Sequence, residues 1–269
     1  MNARHCNVCG RDAGFPNVRR AQSKNERDAL DQRVSSANAS SLARGVSHQL
    51  NAFKAAVDSS SAVMNRSLGA LSEWLNGSNE LFVTFHKQVA YLGRHPQDNE
   101  WDPQREAAEA AINPYVYGDI SYAALSLDGR GMTYYGDYAV TLSTFLIDDR
   151  SSVFEENPYH FNRTHHITIG QPVPVGYRAI WFDRSDLAVA KLHSKIDQNT
   201  VSDDFPNILM EDRRDQPDCD YVEVHIYGAV HRKSISRVEG PLPITRADKA
   251  LYRQAAKKLK ELGAQMVAI

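Results

Sequence analysis

The sequence predicts an α+β fold, helices first and a strand-rich region after them. Three observations support this. Up to about residue 80 the apolar residues are sparse and fall at helical intervals, and no Pro occurs from Arg20 to Ser78. After Pro114 the texture changes to short runs of β-branched and aromatic residues. Helical patterns recur among those runs without strict strand–helix alternation, which disfavours a doubly wound parallel sheet. No internal repeat is visible.

In the N-terminal part, Leu42, Val46, Leu50, Phe53 and Val57 fall on one helical stripe. Leu68, Leu71 and Leu75 continue the pattern after a Ser-rich interruption at Ser59–Ser61. The opposite faces are polar, so these helices need a surface to lie against, either the rest of the chain or a partner. Leu81–Phe85 suits a strand or a continued helix. The polar stretch Arg94–Glu100 reads as a loop or boundary, giving a helical N-terminal region over 1–93 and a second unit over 94–269. Asp102-Pro103 predicts a helix start, with Asp as N-cap and Pro at the first helical position.

Strand composition follows in Ser121–Leu127, which ends at the turn Asp128-Gly129-Arg130-Gly131, and in Tyr138–Leu142, Arg178–Phe182 and Tyr221–Tyr227. Asp183–Asp186 caps a helix over Leu187–Ile196, and an amphipathic helix from about Thr245 to Leu262 stops at Gly263.

Composition narrows the function classes. The 269 residues carry a formal net charge of −2, with 42% hydrophobic and 24% charged residues. A chain of this size buries about three quarters of its unfolded surface and needs no disulfide or metal to fold. No overall basic field draws it to nucleic acid. No apolar run of ~18 residues predicts a membrane span, and Met1–Cys6 lacks the apolar core of a signal peptide. The expectation is a cytoplasmic protein with no membrane partner. Neither a Gly-x-x-x-x-Gly-Lys phosphate loop nor a Gly-x-Gly-x-x-Gly after a strand occurs, which removes support from ATPase and dinucleotide-fold readings.

The three cysteines are an odd number and argue against a disulfide framework. Cys6-Asn7-Val8-Cys9-Gly10 has the spacing of two zinc thiolates, but a structural site needs four ligands and no second Cys-x-x-Cys follows. An N-terminal hook is the simpler reading, and no metal is assigned. His165-His166 reads as a solvated pair.

Chemistry points to the strand Tyr221-Val222-Glu223-Val224-His225-Ile226-Tyr227. Period two places Tyr221, Glu223, His225 and Tyr227 on one face and Val222, Val224 and Ile226 on the other. The strand thus buries an aliphatic face and offers an aromatic, acidic and imidazole face to a cleft; the plain alternative is a half-exposed strand with a solvated polar face.

The Tyr135-Gly136-Asp137-Tyr138-Ala139-Val140-Thr141-Leu142 segment, then Arg150-Ser151-Ser152, then Glu223 in its strand, resembles the mono-ADP-ribosyltransferases of the bacterial toxin kind, over about residues 120–230. The resemblance implies a split, twisted, mainly antiparallel sheet that clamps NAD. It implies an Arg or His on the first strand, a Ser/Thr strand bracing the site, and one essential Glu. On that basis Glu223 is the catalytic residue. Arg150 and Ser152 fall on the Ser/Thr strand, Arg130 is the first-strand candidate, and Tyr135 or Tyr122 is placed to stack on nicotinamide. Tyr221, also placed at the NAD site, stands two before Glu223, where many members carry Gln or Glu that helps direct transfer to Arg. A protein-Arg target is therefore less expected than another acceptor.

The function implied is an NAD-dependent transferase acting as an intracellular toxin, defence enzyme or effector on a protein or nucleic-acid acceptor, with Arg232, Lys233 and Arg237 as a local basic stripe. An NAD glycohydrolase using water is an alternative. So is a non-catalytic module whose N-terminal helices bind an antitoxin or chaperone. Glu155-Glu156-Asn157 reads as a charged turn, with a place in the same cleft as its sharper alternative. Glu211–Asp220 reads as a solvated connection leading into the Glu223 strand.

Overall fold

A computed structural model describes residues 5–6, 8–90, 101–212 and 219–269. Helices α1 (Pro16–Ala21), α2 (Lys24–Ala43) and α3 (Ser47–Val57) lead into strand β1 (Ser61–Arg66) and helix α4 (Leu68–Asn76). Strand β2 (Leu81–Phe82) and helices α5 (Phe85–Ala90) and α6 (Trp101–Ile112) follow. Next come β3 (Ile120–Ser126), β4 (Tyr138–Leu142), β5 (Ser151–Phe154), α7 (Pro158–Thr164), β6 (Arg178–Ile180), α8 (Arg184–Leu192) and α9 (Phe205–Leu209). The chain closes through β7 (Met210–Glu211), β8 (Asp220–Tyr221), β9 (Glu223–Tyr227), β10 (Val230–His231), β11 (Ile235–Gly240), α10 (Arg246–Glu261) and β12 (Gln265–Ala268).

Eight strands form one sheet in the order β12-β11-β4-β1-β3-β9-β5-β6. Only the β11–β12 pair is parallel; the other six neighbouring pairs are antiparallel. The fold is therefore α+β and mainly antiparallel, as the order of elements predicts. These eight strands are hydrogen-bonded neighbours in one continuous sheet, where the resemblance implies a split one.

Period-two alternation separates the two faces of the sheet. Val224 lies opposite Ala123 and Val153, and Met64 opposite Val140. These residues share one core with Leu30 of α2, Phe53 of α3, Leu71 of α4, Leu187 of α8 and Leu259 of α10. On the other face Glu223 lies opposite Ala124 and Phe154, and His225 opposite Tyr122 and Ser152. That face is also buried at β9, so the strand is not half-exposed.

The buried helical stripe begins at Val46 rather than at Leu42. Gly45, at φ 71°, stops α2 in the left-handed conformation glycine tolerates, and Leu42 is left exposed. Val46, Leu50, Phe53 and Val57 then reach the core. Leu68, Leu71 and Leu75 lie in α4, and Leu81-Phe82 is the strand β2. The described part of helix α6 begins at Trp101, so Asp102 and Pro103 lie within the helix rather than straddling its start. Helix α10 lies where expected; the Thr245 side chain caps it, accepting from the Asp248 N–H, and Gly263 follows at φ 78°.

The largest departure is β1. Residues 61–66, which read as part of a helical region, form a strand between β3 and β4 in the interior of the sheet. The division at residue 93 is therefore not a division of the core: α2, α3 and α4 pack on the same aliphatic face as β9. A strand with only Val63-Met64 at its apolar centre carries too short a run to stand out. The expected loop Arg94–Glu100 and positions 213–218 of the expected connection lie outside the described residues. Among the described residues no helix is long and apolar enough to cross a membrane.

Candidate active site

A cavity of about 780 Å³ opens on the polar face of the sheet, a size usual for small-molecule sites. Its floor carries Glu223, Tyr221, Tyr122 and Ala124. The end of β1 supplies Asn65 and Arg66, α6 supplies Arg105 and Glu109, and the turn after β3 supplies Tyr134 and Tyr135. Asn157, Tyr159 and His160 close it from the start of α7.

Glu223 is 4% exposed at the first position of β9. Both carboxylate oxygens are engaged. The Tyr221 hydroxyl donates to Oε2 at 3.0 Å, and His225 Nε2 lies 2.9 Å from Oε1. Each partner is held in turn: Asn157 Nδ2 donates to the Tyr221 hydroxyl at 3.1 Å, and Asn113 Nδ2 lies 3.1 Å from His225 Nδ1. Asn157 is fixed because it also caps α7, accepting from the Tyr159 N–H at 2.8 Å. Burial pushes the Glu223 carboxyl up, against the hydrogen bond from His225. Burial and the Glu223 charge raise the Tyr221 hydroxyl well above the usual phenol range.

A second buried carboxylate, Glu109, faces the same cavity. Arg105 Nε lies 2.6 Å from its Oε1 and His86 Nε2 2.6 Å from its Oε2. Burial pushes this carboxyl up, but Arg105 and His86 outweigh it and hold it below the ordinary value. The two carboxyl groups are thus driven in opposite directions, a pattern that assigns different roles to acids sharing one site.

Of the residues singled out in the sequence, Glu223, Tyr221, Tyr135 and Tyr122 meet at this cavity. Arg130, Arg150 and Ser152 do not line it. Arg130 is exposed and pairs with Asp128 in its own turn, 2.6 Å away. Arg150 spends its guanidinium on backbone, donating to the Tyr227 and Ala229 carbonyls at 2.6 and 3.0 Å, and burial lowers its pKa. Ser152 lies opposite His225 and accepts from Asn17 Nδ2 at 3.2 Å; the same amide donates to the His225 carbonyl at 2.8 Å. Arg150 and Ser152 therefore brace β9 from beside and below the site.

Sequence reasoning missed Arg66 and Glu109 on the cavity, and Asn113 at His225 behind it. Arg66 is the last residue of β1, the first strand of the chain, and its guanidinium sits 4.2 Å over the Phe82 ring. The one sequence signal for it is an Arg standing directly before the Ser67 cap of α4. Asn157 belongs to the Glu155-Glu156-Asn157 segment, for which a place in the same cleft is the sharper alternative to a charged turn. Its neighbour Glu155 pairs with Arg33 at 2.6 Å. The basic stripe is largely committed elsewhere: Arg232 bonds Glu80 and the Leu75 carbonyl, and Arg237 pairs with Glu239.

The N-terminal hook is closed by the Cys6 N–H donating to the Arg11 carbonyl and the Gly10 N–H to the Cys6 carbonyl, both at 2.8 Å. Cys219 is buried beside Tyr221 and Met210. Among the described residues no group of three His, Cys, Asp or Glu is placed to hold a metal ion. No protein-family model matches the chain, and no curated protein matches it significantly.

Proposed function

We propose that the chain is an NAD-dependent mono-ADP-ribosyltransferase with Glu223 as its catalytic residue and NAD as its donor substrate. The observation that carries this reading is one buried carboxylate on a cavity floor, oriented at both oxygens, with the first-strand arginine Arg66 on the same cavity. Breaking the nicotinamide–ribose bond builds positive charge on the ribose, as in glycoside hydrolysis. A fixed carboxylate that binds the ribose 2′-hydroxyl strengthens its hydrogen bond as that charge develops, which stabilises the transition state beyond the ground state. In this reading Arg66, rather than Arg130, is the pyrophosphate anchor, since a planar guanidinium suits two phosphate oxygens. Tyr135 and Tyr122 supply aromatic surface.

The acceptor is a protein or nucleic-acid group, with hydrolysis as the second reading. That second reading is favoured by Tyr221: its hydroxyl is taken by Glu223 and Asn157, so the position that directs Arg transfer in the resembled enzymes has no spare polar group here. Incubation with labelled NAD and a cell lysate separates the outcomes: label in protein, label in RNA, or free ADP-ribose. No NAD consumption at all sinks the enzymatic reading and leaves a partner-binding module. Glu223→Gln is expected to keep the fold and lose at least ~100-fold in NAD turnover, the scale of removing one electrostatic stabiliser. Unchanged turnover in that variant removes Glu223 from the role.

A further inference from the structure

His225 is fixed on every side. The Phe154 ring stacks on it with centroids 5.6 Å apart, and the Tyr122 ring meets it edge-on at 5.1 Å. At 2% exposure it sees no bulk solvent, so each ring nitrogen has a single protein partner: Asn113 Nδ2 at Nδ1 and Glu223 Oε1 at Nε2. A neutral imidazole has one N–H, and an amide N–H donating to Nδ1 leaves the proton on Nε2. Were the amide turned over, its oxygen would take the proton at Nδ1. Nε2 would then be bare, acceptor against acceptor at Glu223, unless the ring carried a second proton or the carboxyl were protonated.

The amide is held by its backbone. Asn113 follows α6, its N–H donating to the Glu109 carbonyl at 2.8 Å, and its own carbonyl accepts from Val116 and Tyr117 at 3.2 and 2.9 Å. Closing this turn puts the exposed Tyr115 at φ 70°, a left-handed conformation unusual for an aromatic residue. Strain of this kind persists where the surroundings over-determine it and clusters at functional sites.

We propose that Asn113 is a positioning residue for Glu223: it fixes His225 as the Nε2–H tautomer, which makes Oε1 of Glu223 a permanent acceptor and keeps the carboxylate aimed. The catalytic consequence rests on the transferase reading above; the tautomer does not. The charged and titratable groups around the pair are Tyr221 beside Glu223, Tyr122 from β3, and Arg105 and Glu109 from α6. Arg178 of β6 lies behind Phe154, paired with Glu26 at 2.9 Å.

The test is nitrogen-15 NMR of the histidine rings and carbon-13 NMR of the Glu223 carboxyl, in the full chain and in Asn113→Leu and Asn113→Asp, beside the pH profile of NAD turnover. The wild type should show His225 protonated at Nε2 and bare at Nδ1 near neutral pH. Asn113→Leu should raise the Glu223 titration midpoint by about one unit or more, the scale on which hydrogen bonds to a charged form act, and shift the turnover profile with it. The near-isosteric Asn113→Asp supplies an acceptor at Nδ1 and should give a doubly protonated ring, which keeps the test open if the leucine variant does not fold. A wild-type ring protonated at Nδ1 overturns the proposal. So does an unmoved Glu223 midpoint in folded Asn113→Leu, or an unchanged ring in Asn113→Asp. If the NMR results hold while the wild type consumes no NAD, the transferase reading falls and the positioning of Glu223 stands.

Discussion

The pH behaviour of Glu223 follows from its burial. Its carboxyl is raised above the ordinary value, so the folded chain holds this proton more tightly than the unfolded chain. The stability this contributes is complete below the ordinary carboxylate pKa and is lost as pH rises through the folded value. Glu223→Gln does not titrate, so its Tm relative to the wild type should climb as pH rises from the ordinary carboxylate pKa through the folded value. Thermal melts across that range check it, and a constant difference removes the burial argument. Activity runs the other way: turnover should rise with pH as the carboxylate forms. Two arginines separate binding from bracing. Arg66→Lys keeps charge but loses the planar fork, and should raise KM for NAD about tenfold with little change in Tm. Arg150→Ala strips two backbone carbonyls of their donor and should cost about 2 kcal/mol of stability with KM nearly unchanged. Steady-state kinetics beside denaturant melts distinguish the pair; if Arg150→Ala instead raises KM selectively, Arg150 contacts the donor after all.

Several cavity residues stand at the ends of elements: Glu223 opens β9, Arg66 closes β1 and Asn157 precedes α7. Chain reversals at such ends set side-chain placement, and Gly136 shows how tightly. A Cβ there would lie 2.2 Å from the Arg66 carbonyl carbon, and its φ of 139° is one that L side chains rarely adopt. Gly136→Ala must push the β3–β4 connection off the end of β1. The expected result is a Tm lower by several degrees, as a loss of ~1–2 kcal/mol gives, together with a raised KM for NAD through Arg66. Unaltered Tm and KM would show that this approach is not tight in solution.

At the scale of the whole molecule, β1 joins the two regions on either side of the polar stretch near residue 93. A fragment of residues 94–269 would lack the strand between β3 and β4, exposing two interior edges, and would also lose the α2, α3 and α4 side of the core. It should fail to fold alone, visible as poor amide dispersion in NMR and no cooperative melt; a well-dispersed, cooperatively melting fragment would overturn this. The N-terminal helices therefore find their apolar partner inside the chain, which weakens the case for an antitoxin or chaperone on that same stripe.

The sequence by itself determined whatever depends on local periodicity. The β3, β4 and β9 strands, the α10 helix with its Gly263 stop, and the shared face of Tyr221, Glu223 and His225 all follow from spacing along one segment. Only the tertiary structure decided which segments meet. Arg150 and Ser152 stand close to the right chemistry in sequence, but strand order turns them into braces of β9. Arg66, 157 residues before Glu223, arrives because β1 inserts beside β3. Asn113 and Asn157 carry no motif, since an amide becomes a site residue only through the partner it meets. Periodicity is a property of neighbours along the chain, whereas a cavity is made by antiparallel pairing across long sequence separations, and no local pattern encodes that pairing.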